Sequence, residues 1–464
     1  MDVFTALQTS VSGLRAQSYS LNNIAGNIAN SQTTGYKRID TSFVDLLAEE
    51  TPRHQVAGTV AAYSQLTNTI QGNLTSTGIG TNMALNGPGF FVVQQRTSDA
   101  NGATVFSNNN LYTRRGDFVP DKDGYLVNGA GSYLMGSTLD PVTGQATSNG
   151  PIQISNSVLP AKATTTITYS ANLPSTPATA KKTSTADSEL LGTFADGSDA
   201  RIQTATGTAA VPKENAQQLI DNSIAGPSLT LYTPAGAAVG LQTRWAKVKN
   251  ADTSVTPPTT DVWNLFYADK STVGGAETSW TNAGQAFEFD ATGKMTAPTG
   301  STITLTDLKI DGASVGNVAI DIGTGGGLTQ YAAASGGVTT NTLQQNGFAA
   351  GTLTGLDVTD DGKISGTYSN GTTLALANIQ VAQFNNPDGL KADSLGNYAQ
   401  TAASGGPITG LDNSTIIGGN VEQSNTDIAA EFSKMIVTQQ AYSANTRVMS
   451  TAQTMMSDLL NVIR

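Results

Sequence analysis

The chain has 464 residues, no cysteine, one histidine and a formal net charge of −11. Charged residues make up 13% of it, about half the roughly 25% usual in a soluble globular chain. These figures exclude disulfides, thiolate metal sites and a cysteine nucleophile, and they give nucleic acid or an anionic membrane no electrostatic reason to bind. The length suffices for about two to four domains. With 49 glycines among abundant Thr, Ser, Asn and Ala, the composition favours β-sheet and turns. The one histidine, His54, lies in PRHQ (52–55) with no Asp or Ser motif around it, and reads as an exposed loop residue.

The first residues, MDVFTALQTSVSGLRAQ, carry an acid at Asp2 and lack both a cationic leader and an apolar stretch with a cleavage site. The expectation is a protein that leaves the cell, if it does, without a cleaved signal peptide. No window approaches the roughly 18 consecutive apolar residues of a spanning helix, so no membrane insertion is expected.

From Phe4, residues recur at steps of three and four: Leu7, Val11, Leu14, Ser18, Leu21, Ala25 and Ile28. This is a heptad seam broken once at Ser18, and it predicts a helix over about 1–30. No charge lies between Arg15 and Lys37; Gln, Ser and Asn fill the polar face. The C-terminus repeats the pattern. Val421, Ile428, Met435, Tyr442, Met449, Met456 and Ile463 fall every seven residues, with Phe432, Gln439, Thr446, Gln453 and Leu460 as the companion row. The predicted helix starts between Gln423 and Asp427, where Asp427 and Glu431 suit the helix dipole, and runs to Arg464. A narrow seam at both ends suits pairing with each other and with neighbouring copies, and a lone seam helix cannot bury itself.

Between the ends the chain carries specific motifs. NNIAGNIANSQTTGYKR (22–38) resembles the signature of the bacterial flagellar rod and hook family, with Asn27, Asn30, Thr34, Gly35, Tyr36 and Lys37 as its motif residues. Gly26 departs from the Asn usual there. SFVDLL (42–47), IQGNL (70–74), ALNGPGFFVV (84–93), LYTRRGDFVPDKDGYLVNGAGSYLMG (111–136), DGKISGTYSNG (361–371), VAQFNNPDGL (381–390) and GGNVEQSNTDIAAEF (418–432) are similar to further family blocks, in order. The resemblance covers about 1–175 and 355–464 and implies a structural, self-assembling subunit. About 180 inserted residues and the SNG and FNNPDGL blocks favour the hook branch over a distal rod protein. A secreted β-rich adhesin or fibre protein would not need matched heptads at both ends.

The fold class expected is mixed: paired, coiled-coil-like terminal helices with nested all-β middle and outer domains. Residues 1–30 with 424–464 would form the helical assembly domain, and 31–69 with 400–423 a polar linker. Residues 70–174 with 356–399 would form a β-rich middle domain, marked by turn signals at Asn86-Gly87, Asn128-Gly129 and Asn370-Gly371. LPAKATTTITYSANLP (159–174) reads as a crossing into an outer β-rich domain, or two, over 175–355, which holds Trp245, Trp263 and Trp280.

No catalytic, cofactor or metal site is expected. GTGGGL (323–328) lacks the Lys-Ser/Thr of a phosphate loop. DVTDDGKI (357–364) lacks the distal Glu of a calcium loop and, like PDKDGYL (120–126), reads as an Asp-Gly turn. By resemblance, the partners are further copies in a helical tube, the flagellar export apparatus, the hook cap, and the distal rod and hook–filament junction proteins. The location implied is extracellular, in the flagellar hook. The apolar seam residues above are the expected assembly interface, and Phe43, Leu46 and Leu47 resemble an export signal, with a short amphipathic turn as the alternative reading.

Overall fold

Charge-free seams at the two ends become the two long helices: α1 (Val3–Ala29) and, with the short α2 (Ala216–Asp221) between them in sequence, α3 (Ile428–Val462). The computed structural model describes residues 3–462 except 47–49, 52–53, 56–58, 101–102, 204–208, 253, 257, 271, 274–275, 324–326 and 394. Everything else regular among the described residues is β-strand or short 3-10 turn. The chain divides into one unit built from Met1–Ser157 with Leu353–Arg464, and a contiguous unit, Val158–Thr352.

In the first unit, α1 and α3 pack together and run antiparallel. Asn27 meets Glu431 and Gly13 meets Asn445, so fourteen residues toward one helix's N-terminus match fourteen toward the other's C-terminus. Asp427 caps α3, its Oδ1 accepting from Ala429 N at 2.9 Å and Ala430 N at 3.2 Å.

The stretch read as a linker is different. Ile39–Leu46 and Thr59–Leu66 form an antiparallel ribbon in register from Ile39↔Leu66 to Leu46↔Thr59. The ribbon lies on α1. Asn23 Nδ2 donates to Thr41 Oγ1 at 2.9 Å, Tyr19 Oη and Ser64 Oγ are 2.8 Å apart, and Val60 N donates to Ser12 Oγ. Its polar composition suggested a solvated linker because two-stranded ribbons bury too little to need a strong apolar alternation.

Most remaining strands of this unit join one large antiparallel sheet, while Met83–Asn86 pairs with Thr415–Gly418 and Leu74–Ser76 with Asn420–Glu422 as separate two-stranded pieces. The path of the large sheet runs Leu353–Val358, Lys363–Tyr368, Thr373–Ile379, Ser132–Leu139, Phe90–Ala100, Leu111–Thr113, Tyr398–Ala399, Lys391–Ala392. N-terminal and C-terminal strands thus share one sheet. In GPGFFVV, alternation sends Phe90 and Phe91 to opposite faces, and both are fully buried. Phe90 packs on Phe384 and Tyr398, and Phe91 edge-on to Phe118. The Asn-Gly signals at 86–87 and 370–371 become left-handed glycines, whereas after Asn128 the left-handed residue is Gly131.

The contiguous unit packs a five-stranded sheet on a seven-stranded one. The run 159–174, read as a crossing, contains the strand Thr166–Pro174, which pairs with Ala313–Asp321, Leu328–Tyr331 and Thr339–Gln345. The seven-stranded sheet has the order Ala210–Pro212, Ala276–Phe289, Asp261–Ala268, Ala238–Lys249, Ile224–Tyr232, with Thr272–Val273 and Met295–Ala297 joining Ala276–Phe289 at its margins. Trp245, Trp263, Phe287 and Phe289 fill the space between the sheets. Trp245 Nε1 donates to Tyr169 Oη at 3.1 Å, which satisfies the indole where it is fully enclosed. Leu191, Phe194, Leu219 and Trp280 form a second cluster in this unit.

Candidate assembly surface and the clamp beneath it

A helix that is to meet several neighbours must leave apolar residues outside its own fold, and both terminal helices do so. In α1 the buried row is Ser10, Gly13, Ala16, Ser20, Ile24 and Asn27, one residue ahead of the predicted seam, and two at Ala16. Phe4 is 66% exposed, and Leu7, Val11, Leu14, Leu21 and Ile28 are half-buried. In α3 the predicted sevenfold row survives in Met435, Met449 and Met456, which are half-buried, but Ile428 and Tyr442 are exposed. Its companion row is Glu431, Thr438, Asn445 and Ala452, not Phe432, Gln439, Thr446 and Gln453. The side chain of Leu460, and Ile463, lie outside the described residues.

The correction has a physical cause. Periodicity finds the apolar side, whereas the contact between α1 and α3 uses the small side, where backbones approach closely. A Cβ on Gly13 would stand 3.0 Å from Asn445 Nδ2. Larger residues are thereby left outward: Phe432 is 50% exposed, Ile436 56% and Val437 65%. Val437 and Phe43 also flank a groove of about 640 Å³ between the ribbon, α1 and α3, beside Ile24, Asp40 and Lys434. Lys434 Nζ bridges Asp40 and Glu431, each at 2.9 Å.

The motif after α1 builds a clamp under this surface. Asn27 is fully buried and uses every polar position: Nδ2 donates to Ile39 O and Glu431 Oε2, and Oδ1 accepts from Ile39 N and Tyr36 Oη. Burial, then the Glu431 carboxylate, raises the Tyr36 phenol above its usual range. Asn30 closes the last turn, Nδ2 to Gly26 O at 2.9 Å, and accepts from Thr33 Oγ1. Thr34 and Gly35 make the bend. Gly35 has φ +68°, donates to Glu422 O at 2.7 Å, and a Cβ there would lie 2.7 Å from Arg115 N.

Lys37 completes the motif. It is 2% exposed and its Nζ lies 2.5 Å from Glu422 Oε1, while also donating to Ile70 O at 2.6 Å. Glu422 sits in Asn420–Glu422, the strand leading to α3, and is wholly buried. Its Oε1 also accepts from Gly72 N, and its Oε2 lies 3.4 Å from Arg114 Nη1. Arg114, 3% exposed, donates Nη2 to Gly87 O at 2.7 Å and covers the Phe90 ring at 5.4 Å. Burial outweighs the attraction of Glu422 and holds both cations below their usual ranges. The expected site residues did not include Arg114 or Glu422. Their signal is faint: Arg114 stands beside Arg115 and Asp117 in its block, Glu422 shares its block with Asp427 and Glu431, and nothing in the sequence sets either apart.

Phe43 lies in the strand Ile39–Leu46 opposite Ala62, 46% exposed, so the alternative reading of an amphipathic turn is replaced by a strand. The Leu46 side chain and Leu47 lie outside the described residues, as does the side chain of His54. The Asp-Gly stretches are turns. Asp121 Oδ1 accepts from Asp123 N and Tyr125 N, and Gly124 and Gly362 have φ +83° and +78°. Among the described residues no helix is long and apolar enough to cross a membrane.

Three family descriptions match in order along the chain. "Flagella basal body rod protein" matches residues 7–37, "Flagellar hook protein FlgE/F/G D1 domain" 84–172, and "Flagellar basal body rod FlgEFG protein C-terminal" 417–462. The flagellar hook protein FlgE of Salmonella typhimurium is 30% identical over 97% of this chain and 98% of its own, and that of Treponema pallidum 28% over 99% of each. A crystal structure of Helicobacter pylori flagellar hook protein FlgE2 covers 74% of this chain and 98% of its own at TM-score 0.47 and 16% identity, too loose a likeness to argue from. The flagellar hook protein FlgE of Brucella abortus is 30% identical over the full length of both chains, and this chain belongs to the flagellar hook protein family.

Proposed function

We propose that the chain is a structural subunit of the bacterial flagellar hook, polymerising with its own copies into a curved helical tube that couples motor to filament. Family membership along the full chain carries the reading. The outward apolar residues of α1 and α3 support it, since a contact whose rotation does not close yields a helical filament. The proposed interface comprises Phe4, Leu7, Val11, Leu14, Leu21, Ile28, Ile428, Phe432, Met435, Tyr442, Met449, Met456, Leu460 and Ile463. Its role is structural, not catalytic.

The finer parts belong to the same reading. The paired ends form the inner wall and the β-domains stack outside, nested as the sequence suggested. The flagellar export apparatus delivers the chain without a cleaved signal, and the cap, distal rod and junction proteins are its other neighbours. The exposed Gln439, Thr446 and Gln453 partly line the channel, where a charged wall would hold passing cargo. Phe43, exposed on its ribbon, is read by the export machinery; Phe43→Ala should reduce secretion and leave polymerisation of purified protein intact.

Electron microscopy of the concentrated protein tests the central claim. Curved tubes should form, and Phe432→Asp should abolish them while the monomer keeps its stability within about 0.5 kcal/mol. Tubes from a chain lacking 1–30 or 425–464 would refute assembly through the termini.

A further inference from the structure

Lys37 and Arg114 lie in the first 157 residues, and the carboxylate that pairs with both, Glu422, arrives from the other end of the chain. All three are buried, with at most 3% of each residue exposed. Until Glu422 is in place, closing this unit would strand two cations in a dry interior, which is strongly unfavourable. Main-chain contacts point the same way: Gly35 N donates to Glu422 O, Gln423 N to Asn73 O, and Thr415–Gly418 pairs with Met83–Asn86. The path of the large sheet likewise sets three N-terminal strands, Ser132–Leu139, Phe90–Ala100 and Leu111–Thr113, between blocks of strands from 353–379 and 391–399.

The contiguous unit has no such dependence. Its sheets and its tryptophan core come from 158–352 alone, and its two ends are clipped together by the Leu159↔Gly351 and Lys162↔Phe348 bridges. Once formed, it removes its own length from the loop that must close between Arg114 and Glu422.

We propose that Glu422 is a completion switch: the discontinuous unit stays open, with Lys37 and Arg114 hydrated, until the Glu422 strand docks, and residues 158–352 fold ahead of it. The assembly surface of α1 and α3 therefore forms only on a complete chain. This goes beyond the hook reading and stands on the buried charges alone.

Pulsed hydrogen exchange during refolding of the full chain tests it. Peptides covering Asp261–Ala268 and Ala276–Phe289 should gain protection before those covering Phe90–Ala100 and Ser132–Leu139. In Glu422→Gln, the first pair should follow the wild-type time course. Protection of the second pair at equilibrium should fall by about 10²–10³-fold, the scale of breaking a buried ion pair. Adding Lys37→Met to Glu422→Gln should restore about tenfold or more of that loss, because one stranded cation is gone. A Glu422 acting only through hydrogen bonds would leave Glu422→Gln close to wild type, because the amide oxygen can still accept from Lys37 and Gly72. Additive losses in the double variant, wild-type protection in Glu422→Gln, or simultaneous protection of both peptide pairs in the wild type would each overturn the proposal.

Discussion

Two glycines at the end of α1 should respond to alanine with opposite signs. Gly35 has φ +68°, and an added Cβ would meet Arg115 N at 2.7 Å and Arg114 C at 2.8 Å, all backbone. Left-handed strain contributes about 1–2 kcal/mol and overpacking against an unyielding neighbour about 1–3, so Gly35→Ala should cost about 2–5 kcal/mol. Gly26 sits inside α1 with nothing within 4 Å of its would-be Cβ, and Gly26→Ala should stabilise by about 0.5–1 kcal/mol. At a urea slope of about 2 kcal/mol/M, the midpoints move down by about 1–2.5 M and up by about 0.3–0.5 M. The two units can be read separately. Both long helices lie in the discontinuous unit, so helix ellipticity follows it, while all three tryptophans lie in 158–352 and report the other. Only the ellipticity transition should move. A neutral Gly35→Ala, a destabilising Gly26→Ala, or an equal shift in tryptophan emission would refute the reasoning.

Gly13→Leu should drive α1 from α3 at Asn445, lowering the ellipticity midpoint and increasing dye binding to exposed apolar surface; unchanged dye binding would count against the close approach. Asn27→Ala removes four hydrogen bonds and deprives buried Glu431 of one donor, so a loss of about 2–4 kcal/mol is expected in the same titration. Alkaline pH should act on the contiguous unit. Burial, then the Asp269 charge, pushes the Tyr267 phenol up to about 12. Unfolded tyrosine ionises near 10, so the folded chain holds this proton where the unfolded one has lost it. The contribution is intact below about pH 10 and disappears between about 10 and 12. The tryptophan-monitored midpoint should fall across that window, and Tyr267→Phe should flatten the fall.

The helices and the β-rich interior were legible because each rests on local period and local turn chemistry. What escaped was set at long range. Gly13, Ala16 and Ser20 are unremarkable in sequence, yet their smallness selects which side of α1 meets α3, so the apolar seam falls one or two residues later than the buried row. The ribbon 39–66 looked like linker because its partner surface is polar: Asn23, Ser12 and Tyr19 hold it by hydrogen bonds. Lys37 was singled out by its motif, but its reason was not, since Glu422 stands hundreds of residues away and no spacing rule connects them. Strand Thr166–Pro174 was read as a crossing because Thr-rich alternation close to Pro174 and Pro160 looks the same at a domain's edge and at its centre.

The Leu159↔Gly351 bridge makes the contiguous unit an exchangeable module. Its entry and exit strands leave from one place, so its length and surface can change without altering the register of any strand in the sheet that hosts it. A short turn joining 157 to 353 would do the same geometric work. Selection can therefore vary residues 158–352 while the clamp at Lys37, Arg114 and Glu422, with helices α1 and α3, stays as it is.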